Sequence, residues 1–119
     1  MRVYSGKLNS QSKTAENELI SLGFNGDLRK GTTAVLVGQW TKSYEETPKA
    51  NYSSVGTVTK FDTGSASGGD NIEIYKSEKP YYWFEGTAHA DRLKLTMKKQ
   101  NGSFYGEAEM ELAYKEDRD

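Results

Sequence analysis

The chain contains no cysteine, two prolines and a single histidine among its 119 residues. Without cysteine it forms neither disulfides nor a thiolate metal site. No apolar run approaches the ~20 residues that a membrane-spanning helix needs. Residues 1–15 contain no apolar segment typical of a signal peptide. These features predict a protein with no membrane partner, and a cytoplasmic one if the chain is complete.

An excess of charge of one sign is also lacking. Lysine and arginine total 16, aspartate and glutamate total 17, and the net charge is −1. Such a balance does not steer the molecule toward nucleic acid. The aromatic run at 81–84 also has few basic neighbours, which a single-stranded nucleic acid would require. We therefore expect no nucleic-acid partner.

The histidine, His89, lacks the neighbours that catalysis or zinc binding would require. No Gly-x-Ser-x-Gly motif is present, and zinc would need further nitrogen or sulfur ligands. Asp62, Asp70 and Asn71 offer oxygen ligands beside a glycine-rich stretch, but the EF-hand pattern is absent. We predict no catalytic residues, no cofactor and no metal site, and we expect a binding protein rather than an enzyme.

Twelve glycines and eight tyrosines, with alternating apolar positions, predict strands. About eight strands separated by turn signals are typical of an all-β fold, either an antiparallel sandwich or a small closed barrel. We expect one domain over residues 1–119, with 115–119 as a frayed tail. The most apolar run, 33–41, is predicted to be buried on both faces, as a central strand would be.

A hairpin near the end of the chain has the most specific pattern. Asn101-Gly102 separates two alternating segments and predicts a two-residue type I′ turn. That turn sets three apolar or small pairs on one face: Leu93 with Met110, Leu95 with Ala108, and Met97 with Gly106. The other face then pairs Arg92 with Glu111, Lys94 with Glu109, and Thr96 with Glu107.

The aromatic residues are the main candidates for a binding site. Tyr81 to Phe84 are consecutive, so alternate members face opposite sides of a sheet, and one pair faces away from the core. Exposed rings of this kind stack on sugars or on partner side chains, but such tyrosines can also simply cover neighbouring residues. The candidate ligand-binding residues are Tyr81, Tyr82, Trp83, Phe84, Trp40, Tyr44 and Tyr105.

Two functions follow from these aromatics and from the strands. The first is a non-catalytic β-sandwich module that binds a glycan or a protein partner through the rings, flanked by the glycine-rich loop Thr63 to Asp70. The second is a structural subunit whose exposed strand edges pair into an oligomer.

A third function comes from a family resemblance. Gly38-Gln39-Trp40 resembles the Gly-x-Trp element that closes the base of calycin barrels, the lipocalins and avidins. The resemblance covers three residues. In those families the element lies on the first strand, whereas two predicted strands precede it here. The resemblance implies a barrel with an apolar cavity, lined by Trp40, Leu36 and inward aromatics, that binds a small apolar ligand.

Overall fold

The computed structural model describes residues 1–12, 15–40, 50–64, 68–78 and 80–116, and all regular structure in these ranges is β-strand. Each strand pairs antiparallel with the next, and β8 pairs with β1, so the sheet closes into a barrel. None of the described segments is a helix that could cross a membrane. The strands are β1 (Arg2–Ser10), β2 (Glu18–Phe24), β3 (Thr33–Trp40), β4 (Ala50–Asp62), β5 (Asp70–Ile74), β6 (Tyr82–Ala88), β7 (Arg92–Lys99) and β8 (Phe104–Lys115).

The period-2 alternation of apolar side chains decides which face of each strand lines the barrel interior. In β2, for example, Ile20, Leu22 and Phe24 are fully buried, while Leu19 is 57% exposed. The alternation predicts the same inward face for β1, β3, β7 and most of β8, and the burial of these strands confirms it. One core therefore fills the barrel.

The predicted burial of β3 on both faces is wrong. Leu36 lies inside the barrel, but Val35 and Val37 point outward and are 43% and 49% exposed. A closed barrel has one interior, and no other described layer covers the outside of β3. Valine is frequent on such exposed strand surfaces because its branched side chain fits the pleat.

The C-terminal hairpin has the predicted register but a different turn. All six predicted pairs are present between β7 and β8. Of the two residues Asn101 and Gly102, only Gly102 has a positive φ, at 86°. Its amide donates to the Lys99 carbonyl at 2.8 Å. This is a three-residue loop in which a type I turn precedes a left-handed glycine. Lys98 therefore pairs with Phe104, and a bulge at Tyr105 restores the register at Gly106.

The residues expected to begin a frayed tail are instead paired. Lys115 ends β8 opposite Arg2. The Glu116 amide donates to the Met1 carbonyl at 2.9 Å, and the Met1 amino group donates to the Glu116 carbonyl at 3.0 Å. Residues 117–119 lie outside the described residues.

The strand directions place the loops at two opposite ends of the barrel. We call the end that contains Trp40 and the start of β6 the indole end, and the end where β4 ends and β5 begins the glycine end. The sequence predicts that the Thr63 to Asp70 loop flanks the aromatic run Tyr81 to Phe84, but the described ends of this loop lie at the glycine end, away from the run. Asp70 begins β5 at the glycine end, where it pairs with Ala88, whereas Tyr81 precedes β6 at the indole end.

Candidate functional site

Four aromatic side chains from four strands meet inside the barrel at the indole end. The Trp40 ring is stacked on Tyr52, with centroids 4.3 Å apart and planes at 17°. Tyr82 lies edge-on to Trp40 at 6.3 Å and contacts Tyr105 at 5.1 Å. Such pairs stabilise a fold by about 0.5–1.5 kcal/mol beyond the burial of their area. We call Trp40, Tyr52, Tyr82 and Tyr105 the aromatic cluster.

The residues of the aromatic run alternate between the two faces of the sheet as predicted, but only one of the two rings outside the core is exposed. Phe84 is fully buried in the core and Tyr82 faces the interior with it. Tyr81 precedes the strand, is 59% exposed and contacts Tyr82 edge-on at 4.5 Å. Trp83 points away from the core but is only 5% exposed. The run therefore leaves one ring, that of Tyr81, at the surface. Tyr44 lies outside the described residues.

Lysine side chains cover Trp83 on the outside of the barrel. The Nζ atoms of Lys76 and Lys98 lie 4.5 and 5.1 Å from the centroid of its ring. The indole N–H donates to the Lys99 carbonyl at 3.1 Å. Lys98 also forms an ion pair with Glu85. Cation–π contact and the apolar lysine stems explain why Trp83 is shielded without belonging to the core.

The barrel wall has a gap beside the aromatic cluster, because β4 is much longer than β5. β4 contains 13 residues and β5 contains 5, and the two strands pair only between Val58 and Asp62 on β4. Tyr75, the residue after β5, has a φ of +69°. This left-handed backbone turns the chain away from β4. The gap thus lies between the first half of β4 and the segment that leads to β6.

The gap opens into a cavity of about 330 Å³ that extends to the aromatic cluster. Its floor is formed by Leu36 and Trp40, and one side is formed by the edge of β4. No charged side chain is among its described lining residues. Further lining residues are Tyr52, Ser54, Thr57, Tyr75, Pro80 and Tyr82.

The polar groups of the cavity are neutral at physiological pH. Burial raises the pKa of Tyr75 to about 12, although a hydrogen bond with Ser54 opposes the shift. Burial also raises the pKa of Tyr82, and the neighbouring Tyr81 and Tyr105 add to the effect. Phenols with raised pKa values stay protonated, so these hydroxyls can donate hydrogen bonds without carrying charge.

One buried donor of the aromatic cluster, the indole N–H of Trp40, has no partner among the described residues. The Nε1–H group of Trp40 is buried and donates to no atom of the described residues. An unpaired buried N–H costs about 1–3 kcal/mol. Because Trp40 is fully buried, a ligand could reach this N–H only if neighbouring side chains moved.

Two inward glycines make room for the rings around the cavity. A Cβ atom at Gly38 would lie 2.5 Å from Cζ3 of Trp40, and one at Gly56 would overlap the ring of Tyr75. Tyr75 was not among the predicted site residues. An isolated glycine inside a strand signals a close approach by another group, so Gly56 is the feature that points to Tyr75.

A larger depression lies on the outside of β1, β7 and β8, but its chemistry is that of an ordinary solvated surface. It measures about 760 Å³ and is lined by acidic and basic residues. Lys94 and Glu109 face each other across the strands at 4.0 Å, and both are mostly exposed. No group of three or more His, Asp or Glu side chains in the described ranges could hold a metal ion. The aromatic cavity is therefore the candidate site.

The fold and the site define an eight-stranded antiparallel β-barrel with an uncharged aromatic cavity in its wall. Comparison of the chain with models of protein families, with curated proteins and with solved structures finds no match. The Gly38-Gln39-Trp40 element lies on the third strand, not on the first as in calycins. The fold alone does not indicate a function, because β-barrels host many unrelated activities.

Proposed function

We propose that this is a non-catalytic binding protein whose cavity takes up an uncharged apolar group of about one or two rings. The observation that carries the proposal is the uncharged, aromatic-lined cavity of about 330 Å³. Ligand pockets typically measure ~300–1,000 Å³, are mainly apolar and contain a few polar groups that orient the ligand. The hydroxyls of Tyr75 and Tyr82 supply such groups.

The aromatic cluster supports this reading because its rings are held in place before a ligand arrives. Trp40 stacks on Tyr52 and Tyr82 packs on both Trp40 and Tyr105. A ligand ring entering the cavity meets ordered aromatic surfaces and little ordering entropy is lost.

Glycan binding through exposed rings has weaker support. A sugar platform needs several rings on an accessible surface, and Tyr81 is the one ring of the run that is strongly exposed. Trp83 would have to lose its contacts with Lys76 and Lys98 first. Tyr81 at the mouth of the cavity is better placed to contact a ligand that occupies it.

A dye titration tests the proposal. N-phenyl-1-naphthylamine is an uncharged aromatic probe whose fluorescence rises in apolar surroundings. We expect the wild-type protein to bind it, and Ser54→Phe, which fills the cavity from β4, to weaken binding at least tenfold. Thr33→Phe adds the same ring on the outer surface of β3 and should leave binding unchanged.

The proposal fails if the wild-type protein does not enhance the dye fluorescence. It also fails if Ser54→Phe binds the dye as tightly as Thr33→Phe does, because the dye would then lie elsewhere. Circular dichroism of both variants establishes that the barrel is intact. A Trp83→Phe background leaves Trp40 as the one tryptophan, so energy transfer to the dye then reports its distance from the cavity.

A further inference from the structure

We infer that the ligand of this site is an extended peptide, which pairs with the exposed edge of β4 and inserts one apolar side chain into the aromatic cavity. This inference rests on the proposed function and names the class of ligand. Its basis is the backbone of β4 rather than the volume of the cavity.

The hydrogen bonds of β4 show which of its residues face the gap. The Val58 amide donates to the Thr32 carbonyl at 2.9 Å, so the backbone groups of Val58 point toward β3. The Thr57 carbonyl accepts from the Tyr75 amide at 2.9 Å and points the other way. Successive residues of a strand alternate in this direction. The N–H and C=O groups of Ser53 and Val55 therefore point into the gap.

No strand in the described part of the chain pairs with this edge of β4 before Val58. The Tyr75 amide takes the Thr57 carbonyl, and the chain then turns away at the left-handed Tyr75. Among the described residues, no backbone group pairs with the outward-facing donor and acceptor of Ser53 or of Val55, which are spaced two residues apart. An extended backbone is the group that matches a row of alternating donors and acceptors with this repeat.

The position of the cavity explains what such a peptide would do with its side chains. A strand added beside β4 would lie about 4.8 Å from it, inside the gap. Its side chains alternate between the two faces of the sheet, so those facing inward point toward the aromatic cluster. Side chains directly across from one another on neighbouring strands are in contact. One inward aromatic or large aliphatic side chain would occupy the cavity.

The charge of the edge indicates the composition of the peptide. Ser53 and Val55 are uncharged, and Val55 is 74% exposed on the outer face. The cavity is also without charge among its described lining residues. A charged residue at the centre of the peptide would lose hydration and gain no partner. The expected ligand is therefore an uncharged, extended segment with an apolar side chain at its centre and β-branched neighbours.

A proline at position 55 removes the edge donor and leaves the other side of the strand intact. Proline is tolerated in a strand where its nitrogen faces away from the neighbouring strand, and the amide of Val55 faces the gap. Val55→Thr is the matched control, since it keeps the amide and a β-branched side chain. Both variants would be compared with wild type as targets for selection from a displayed library of random heptapeptides.

We expect selection on wild type and on Val55→Thr to enrich uncharged heptapeptides with a central aromatic or large aliphatic residue. Binding of an enriched peptide to Val55→Pro should be at least tenfold weaker. The same peptide with N-methyl groups on the amides that face β4 should also bind at least tenfold less tightly to wild type. N-methyl groups on the opposite amides should have little effect.

Three results would overturn the inference. No enrichment above background on wild type, or equal binding of the peptide and its N-methylated form, excludes pairing with β4. A wild-type solution mass of two chains that falls to one in Val55→Pro would assign the edge to a second copy. The naphthylamine titration separates the two proposals: dye binding without peptide binding defeats the peptide alone, whereas loss of both defeats the proposed function.

Discussion

A Cβ atom added to Gly38 would lie 2.5 Å from Cζ3 of Trp40, closer than side chains approach in folded proteins. The indole ring of Trp40 thus folds back along β3 and covers Gly38. We expect Gly38→Ala to displace the ring from Tyr52 and to lower the free energy of unfolding by about 1–3 kcal/mol, the usual cost of overpacking. Thermal unfolding and dye binding should both reveal the change.

Gly23→Ala is the control for that experiment. Gly23 also lies inside a strand, but a Cβ atom added there would have Cγ2 of Val3 as its nearest neighbour, at 3.9 Å, an ordinary contact. Alanine there should leave stability unchanged or raise it by up to about 1 kcal/mol, because it reduces the flexibility of the unfolded chain. Equal losses in both variants would contradict the role given to the Gly38–Trp40 contact.

The loop of the C-terminal hairpin can be tested with proline. The Gln100 amide has no hydrogen bond to a described residue, and Gln100 occupies the second position of the turn, where proline is favoured. Gln100→Pro should be neutral or stabilising by about 0.4–1 kcal/mol. Gly102→Ala should destabilise by about 1–2 kcal/mol, since Gly102 has a positive φ. Urea unfolding measures both effects, and a large loss with Gln100→Pro would favour the type I′ turn instead.

The raised pKa of Tyr75 leads us to expect that stability falls at alkaline pH. Burial raises its folded-state pKa to about 12, above the ordinary value of 10.0. Between pH 10 and pH 12 the Tyr75 hydroxyl is ionised in the unfolded chain but still protonated in the folded chain. The contribution of Tyr75 to the free energy of unfolding is therefore fully present below pH 10 and is lost as the pH rises toward 12. In Tyr75→Phe this contribution is absent, and the decline should be shallower. Urea midpoints measured across this pH range, with tyrosinate absorbance as the titration signal, test the difference.

The two faces of β3 should respond very differently to substitution. Leu36 is 4% exposed and Val37 is 49% exposed. Leu36→Ala removes core volume and should cost about 2–5 kcal/mol. Val37→Thr keeps the β-branched shape on an exposed surface and should change stability by less than about 0.5 kcal/mol. A cost above about 1 kcal/mol for Val37→Thr would mean that the outside of β3 is covered in solution.

The sequence was informative where a property depends on neighbouring residues in the chain. Alternation assigned Ile20, Leu22 and Phe24 to the interior, and it set Leu93 opposite Met110. These results follow from the period of a strand and from the length of a short hairpin. Closure into a barrel depends instead on the pairing of β1 with β8, which lie at opposite ends of the chain. No local pattern distinguishes that pairing from two packed sheets.

The candidate site was predicted in part, because irregular positions form much of it. A bulge turns Tyr105 inward, although simple alternation from Ala108 would put it outside. The left-handed backbone of Tyr75 opens the gap beside β4. Neither the bulge nor the left-handed residue follows from the period-2 alternation of side chains. Trp83 shows a further limit: lysines 76 and 98 cover it, and this contact depends on the fold as a whole.

The hydrogen bonds between Met1 and Glu116 also determine how the barrel would respond to mechanical force. They place the start of β1 and the end of β8 side by side at the glycine end. Because the two strands are antiparallel, pulling these residues apart loads the bonds of the β1–β8 seam one after another. Such unzipping opposes less force than shear, in which all the bonds of a seam share the load. Under tension from these two points, the barrel would open first along this seam.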